Sequence, residues 1–181
     1  SVEGLAGATK NERFAYDAYR RFVQMYSTVV MEMSKEDLEH RLRALKDKLK
    51  VREDTAVPAS GWEELVKEYK QLFKEKTGKD FPDDPMDQLW GAIGAVFGSW
   101  MAEKAVTYRR VEKITGVLGT GVNVMQMVFG NTGETSGTGV CFTRDPSSGE
   151  KIFYGDYLVN AQGEDVVAGI RTPTPLREMA K

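Results

Sequence analysis

Up to about Gly116 the apolar residues of this 181-residue chain recur at three- and four-residue steps; beyond it they fall in short runs between glycine-rich turns. Phe14, Ala18, Phe22, Met25, Tyr26, Val29 and Val30 share one face and predict a helix over about Asn11 to Met33. Ser34 with Asp37 resembles a capping box opening a second helix, Lys35 to about Lys50, with Leu38, Leu42, Leu45 and Leu49 on its buried side. Ser60 with Glu63 repeats that signature before a third helix, which carries Leu65, Tyr69, Leu72 and Phe73 and stops at Gly78. Asp84-Pro85 suits an N-cap and first turn. It leads into a fourth helix, Met86 to Trp100, whose stripe is Leu89, Ile93, Val96, Phe97 and Trp100. A fifth, short helix is predicted over about Lys104 to Lys113.

Past Gly119 the period changes. Asn123 to Phe129, Thr138 to Thr143 and Ile152 to Asn160 read as strands. Turns at Gly130-Asn131-Thr132-Gly133 and Asp145-Pro146-Ser147-Ser148-Gly149 separate them. Tight turns between successive strands imply an antiparallel sheet. The expected class is α+β, with a helical part over residues 1–116 and a β part over 117–181.

Composition narrows the function classes. With 41% hydrophobic and 29% charged residues the chain reads as a soluble globular protein, and no apolar run is long enough to span a bilayer. A formal net charge of −2, with basic and acidic residues interleaved, gives no reason to expect a nucleic-acid partner. The lone cysteine, Cys141, cannot form an internal disulfide, which suits a reducing, cytoplasmic setting; a removed organelle transit peptide would leave no trace. The start shows no signal-peptide shape, and the missing initiator Met is consistent with an excised or processed chain.

The segment richest in candidate chemistry is Gly130 to Gly139. Its glycines let backbone N–H groups converge on an anion, and the hydroxyls of Thr135, Ser136 and Thr138 can donate to phosphate oxygens. It is not a Walker loop, since no Gly-Lys-Ser/Thr follows, nor a dinucleotide fingerprint, since it joins strand to strand. Taken alone, such a hairpin is more often only a turn. Gln162, Glu164 and Asp165 form a second cluster, able to bind a ribose hydroxyl or to hold Mg²⁺ through water; a solvated turn or helix cap is the plainer interpretation. The backbone of Asn123 to Val128 can bond an adenine edge, against an ordinary buried strand as the alternative. His40, the single histidine, sits among charges on a polar helix face, and no Cys/His set has metal-ligand spacing. Arg20-Arg21 and Arg109-Arg110 could meet phosphate, but paired helix arginines are usually salt-bridged or solvated.

The residues also resemble one family. Phe14-Ala15-Tyr16-Asp17-Ala18-Tyr19-Arg20-Arg21-Phe22 is similar to a signature stretch of pyruvate phosphate dikinases. Phe81 to Pro85, Met127 to Asn131, Thr138 to Val140, Phe142 to Arg144, Asn160 to Gly169 and Arg171 to Pro173 follow in the family's order. The resemblance implies an ATP-grasp nucleotide-binding domain with an inserted helical subdomain. The reaction it implies interconverts ATP, pyruvate and phosphate with AMP, diphosphate and phosphoenolpyruvate, through a phosphohistidine on a separate domain, with Mg²⁺ and in a homodimeric parent. Carried over by position, Gly133, Ser136, Gly137, Thr138 and Gly139 match the phosphate loop. Met127 and Val128 match the adenine-contacting strand, and Gln162, Glu164 and Asp165 the acidic side of the nucleotide site. Lys104, Ser147 and Asp156 match positions that dock the phosphohistidine domain, with Lys104 where Arg is common and Asp156 where Glu is. Met125 stands where the family usually has Gln, which here falls at Gln126. The resemblance places the ATP-contacting Lys and Arg, the Mg²⁺-binding Glu, the phosphocarrier histidine and the pyruvate-binding barrel outside these residues. No catalytic residue and no metal ligand is therefore assigned within the chain, and on its own it is expected to be inactive. The alternative is a non-catalytic helical docking module.

Overall fold

The computed structural model describes residues 2–169 and 171–179, and the chain divides into two compact units, residues 1–124 and 125–181. The first unit is helical: α1 (Val2–Thr9), α2 (Glu12–Met25) running into a π-helical turn (Tyr26–Val30), α3 (Lys35–Leu49), α4 (Ala59–Thr77), α5 (Pro85–Ser99) and α6 (Glu103–Val111). Asn11 caps α2, its Oδ1 accepting from the Phe14 amide at 3.0 Å. Asp84 caps α5 by accepting from Met86 N at 2.7 Å and Asp87 N at 3.2 Å, with Pro85 in the first turn as predicted. The other two sequence caps do not form. Ser34 occupies the N-cap of α3 without a side-chain bond, and α4 begins after Pro58, so Ser60 lies inside the helix. Proline's fixed φ starts that helix earlier than the hydroxyl signature suggested.

The core of this unit gathers Val23, Tyr26, Leu38, Leu42, Leu45, Val57, Trp62, Leu65, Tyr69, Leu72, Phe73 and Phe81. The predicted stripes of the second and third helices are thus the buried ones. Phe81 closes one end by meeting Phe22, Tyr26 and Phe73 edge-on or nearly so, at centroid distances of 6.1, 5.3 and 5.2 Å. The predicted stripe of α5 is not buried: none of its residues is, and Trp90 and Phe97 are exposed. Among the described residues α5 meets chiefly the π-helical turn, where a Cβ on Gly91 would overlap the Tyr26 hydroxyl.

A buried ionic knot ties the unit together. Asp17 pairs with Arg20 at 2.8 Å and Arg21 at 3.2 Å, and Arg20 reaches on to Asp54 at 2.9 Å while lying 4.5 Å over the Trp62 ring. Lys46 also pairs with Asp54. Burial alone would raise the Asp54 carboxyl, but Arg20, Lys46 and Arg21 outweigh it and hold the group below its ordinary value of 3.8. A folded-state value depressed in this way stabilises the fold above the unfolded value, and the contribution is lost as pH falls through the folded one. The urea midpoint of the helical unit is therefore expected to drop on acidification below pH 3.8, and to drop less in Asp54→Asn, which has no such proton to take up. An equal drop in both proteins would contradict this.

The second unit carries a three-stranded antiparallel sheet in the order β1 (Gly137–Phe142), β2 (Tyr154–Val159), β3 (Thr174–Pro175), with the short α7 (Gly163–Val167) between β2 and β3 in sequence and packed on β1 and β2. The β1–β2 register pairs Gly137 with Val159 and Phe142 with Tyr154. Asp145 shapes the connection by accepting from the Ser147 and Ser148 amides at 2.7 and 3.0 Å. The backbone bonds from Ser148 and Ser147 hold its carboxyl below the usual range.

The first of the predicted strands is not formed. Asn123 to Phe129 has no regular structure, and among the described residues no strand pairs with the outer edge of β1. Met127 and Val128 are both exposed, so the segment lacks the in–out alternation of a half-buried strand. Without a ladder its N–H and C=O groups gain nothing from extension that water does not already supply.

Candidate nucleotide-phosphate site

The glycine loop is a closed structure built on one hydroxyl. Ser136 Oγ accepts from the amides of Thr132 at 3.0 Å and Gly133 at 3.1 Å, and faces the carbonyls of Gly130 at 2.9 Å and Gly133 at 2.7 Å as a donor. The Ser136 amide donates to Gly133 O at 3.0 Å. The loop is stitched to the end of β2, with Ala161 N donating to Gly130 O and Asn160 N to Ser136 O, both at 2.8 Å. Only glycine fits at position 130, because a Cβ there would overlap Thr138 Oγ1 and the carbonyls of Ala161 and Gly137.

Two of the loop's hydroxyls are engaged within the protein. Ser136 and Thr138 were expected to offer hydroxyls to an anion; Ser136 Oγ is engaged inside its own loop, and Thr138 Oγ1 donates to Ala161 O at 2.8 Å. Close turns let such side chains reach neighbouring carbonyls before any ligand does. Gly137 and Gly139 belong to β1, opposite Val159 and Tyr157. Gly133 lies in the turn with φ of 152°.

The acidic cluster stands beside the loop. Gln162 Nε2 donates to Asn131 Oδ1 at 3.2 Å, while Asp165 Oδ2 accepts from the Gln162 amide at 2.9 Å. Asp165 is buried and serves as a cap; Glu164 is exposed. Thr138 Cγ2 lies 3.9 Å from the position a Cβ on Gly163 would take, so β1 and the start of α7 are in contact. The Asn131–Gln162 bond thus brings together two clusters some thirty positions apart in sequence, with |i−j| of 31. Sequence reasoning quoted Asn131 within a motif without giving it a role. Its signal is burial: it is only 5% exposed, and its Nδ2 has no hydrogen-bond partner. Asn160, at φ 48°, was missed in the same way; its Nδ2 donates to Glu134 at 3.2 Å and its carbonyl accepts from Arg171 at 3.2 Å.

The remaining assigned residues belong to other segments. Met127 and Val128 sit in the irregular segment, so no adenine-facing strand edge is formed by them here. Lys104 is exposed on α6 in the helical unit, Ser147 is exposed in the β1–β2 turn, and Asp156 is half-buried on β2 opposite Val140 and Pro175. Arg20 and Arg21 are consumed by the ionic knot, and Arg109 lies 3.8 Å over Trp100 while donating to its carbonyl at 2.7 Å. Among the described residues no group of three or more His, Cys, Asp or Glu is placed to hold a metal ion, and no helix is long and apolar enough to cross a membrane.

Comparison with known proteins agrees with the motifs. Residues 24–179 match the family model described as pyruvate phosphate dikinase, AMP/ATP-binding domain. The chain is 56% identical over 180 residues to the pyruvate, phosphate dikinase of Clostridium symbiosum, covering 99% of this chain and 21% of that protein. It is 52% identical over 181 residues to the pyruvate, phosphate dikinase of Rhizobium meliloti, with 100% and 20% covered. It is 54% identical over 178 residues to the chloroplastic enzyme of Mesembryanthemum crystallinum, with 98% and 19% covered. The chain spans about a fifth of the length of these curated relatives. It belongs to the pyruvate phosphate dikinase family and corresponds to part of that family's AMP/ATP-binding domain.

Proposed function

We propose that residues 125–181 contribute the phosphate loop and the ribose-side acidic residues of an ATP site in a pyruvate phosphate dikinase. The observation that carries this is the Asn131–Gln162 bond, which sets the glycine loop beside Glu164 and Asp165 as one polar junction. In the parent reaction ATP, pyruvate and phosphate would give AMP, diphosphate and phosphoenolpyruvate, with a phosphohistidine elsewhere in the parent carrying the phosphoryl group. The only histidine here, His40, lies on α3 in the helical unit and is not offered for that role.

Mg²⁺ enters this proposal bound to the nucleotide. A single Glu164 beside a phosphate chain suits a hydrated, phosphate-held ion better than a protein cage, and Asp165 is already occupied as a cap. What the chain's own residues do is positional: backbone amides and glycines let phosphate approach, and charge neutralisation in the transition state comes from groups supplied by the rest of the parent. Lys104, Ser147 and Asp156 are assigned to docking the phosphohistidine domain, in a cytoplasmic or organellar homodimer. The isolated chain is assigned nucleotide contact without turnover.

Calorimetric titration tests the binding half. Mg·ATP is expected to bind the chain saturably and weakly, and Glu164→Ala to weaken it further. Heat no greater than dilution, at concentrations where the folded state is verified, would remove the nucleotide assignment. It would favour the second reading, a helical docking module, for which the exposed Trp90 and Phe97 on α5 speak.

A further inference from the structure

We propose that the Ser136 hydroxyl is an internal stand-in for a phosphate oxygen: it plugs the anion position formed by the Thr132 and Gly133 amides, and an incoming phosphate displaces it. This rests on the nucleotide-site reading and specifies which donors of that site meet phosphate. Two consecutive backbone N–H groups directed at one oxygen form an anion-accepting concavity, and here that oxygen is Ser136 Oγ, at 3.0 and 3.1 Å. The hydroxyl is the weaker of two possible acceptors for those amides, because an ionised phosphate oxygen makes the shorter, charge-assisted bond. Releasing Ser136 costs its own donation to Gly130 O or Gly133 O, a contact that water can replace at this part-buried position.

A second observation points the same way. Asn131, next in the chain to this amide pair, is only 5% exposed and holds a side-chain N–H₂ with no acceptor. The plugged loop therefore leaves a donor unsatisfied beside an amide pair satisfied by a substitute. An anion that opened the loop would supply acceptors for both. The ligand class is a phosphate or diphosphate oxygen, whether from a nucleotide or free.

The sign of one substitution separates this from the simpler view that Ser136 is a phosphate ligand. Ser136→Ala, which removes the plug, is expected to bind inorganic diphosphate and Mg·ATP about threefold to tenfold more tightly than the parent chain, the equivalent of one hydrogen bond no longer contested. Ser136→Thr keeps the hydroxyl and is expected to bind like the parent. In the parent chain, diphosphate is expected to shift the Thr132 and Gly133 amide resonances and the Asn131 side-chain amide pair. Weaker or unchanged binding by a folded Ser136→Ala would overturn the proposal. So would ligand-induced shifts confined to Gly137–Gly139, a result that leaves the nucleotide site itself standing. Shifts nowhere in the unit would remove both.

Discussion

Asp17→Ala is expected to destabilise the helical unit by about 3–5 kcal/mol in urea denaturation, the cost of leaving buried charge without its partner. The carboxylate is almost wholly enclosed and accepts from Arg20 and Arg21 at 2.8 and 3.2 Å, with Arg13 paired to it at 3.7 Å. Once it is gone, Arg20, itself only 3% exposed, keeps Asp54 but loses its nearer partner, and its Nε already has none. The effect belongs to the broken pair rather than to ionic attraction as such. Asp17→Leu combined with Arg20→Met keeps the volume and removes both charges, and it is expected to be distinctly less destabilised than either single change. A double variant as unstable as the sum of the singles would show that the knot stabilises by more than avoiding orphaned charge.

Gly130→Ala is expected to abolish nucleotide binding and loosen the loop while leaving the helical unit's unfolding free energy in urea within about 0.5 kcal/mol of the parent, since changes away from a unit's core rarely cost it more. The added Cβ would strike Thr138 Oγ1 and two backbone carbonyls, and backbone cannot give way as a flexible side-chain tip can. To relieve the clash the chain must break the Ala161–Gly130 bond of 2.8 Å, which holds the loop against the end of β2. Binding is read by titration with Mg·ATP and loop order by amide exchange at Ala161 and Ser136. Unchanged exchange and affinity would mean the loop has a second arrangement that tolerates a side chain.

Sequence periodicity found α2 to α6, and in α3 and α4 the stripes it named are the buried ones: Leu38, Leu42 and Leu45 on α3, and Leu65, Tyr69, Leu72 and Phe73 on α4. It missed α1, whose VEGLAGAT segment is rich in small residues and has no buried residue to set a period. It extended the first helix straight through Tyr26–Val30, where the backbone widens to a π-turn that keeps the same residues helical. The antiparallel pair β1 and β2 was legible from the turn at Asp145 to Gly149; the missing strand before it was not, because apolar composition reports β preference and says nothing about whether a neighbour is there to pair.

At the site, the residue types were legible and their partners were not. Glycine, Ser136, Thr138 and the Gln162–Asp165 cluster stood out for phosphate chemistry, yet nothing in the order of residues says that Ser136 turns back onto Thr132 and Gly133 or that Thr138 is taken by Ala161. Those bonds depend on where the loop closes, which Gly130 and Asn160 decide through backbone geometry. Asn131 became visible only through its burial and its bond to Gln162.

The most direct test is residue-resolved: follow the amide resonances of the whole chain as Mg·ATP is added. Saturable movement at Thr132, Gly133 and Gly137–Gly139 together with Gln162 and Glu164, with the helical unit unmoved, is the predicted result. Movement limited to scattered exposed acidic residues, or none at all in a folded chain, would contradict a phosphate site at the loop.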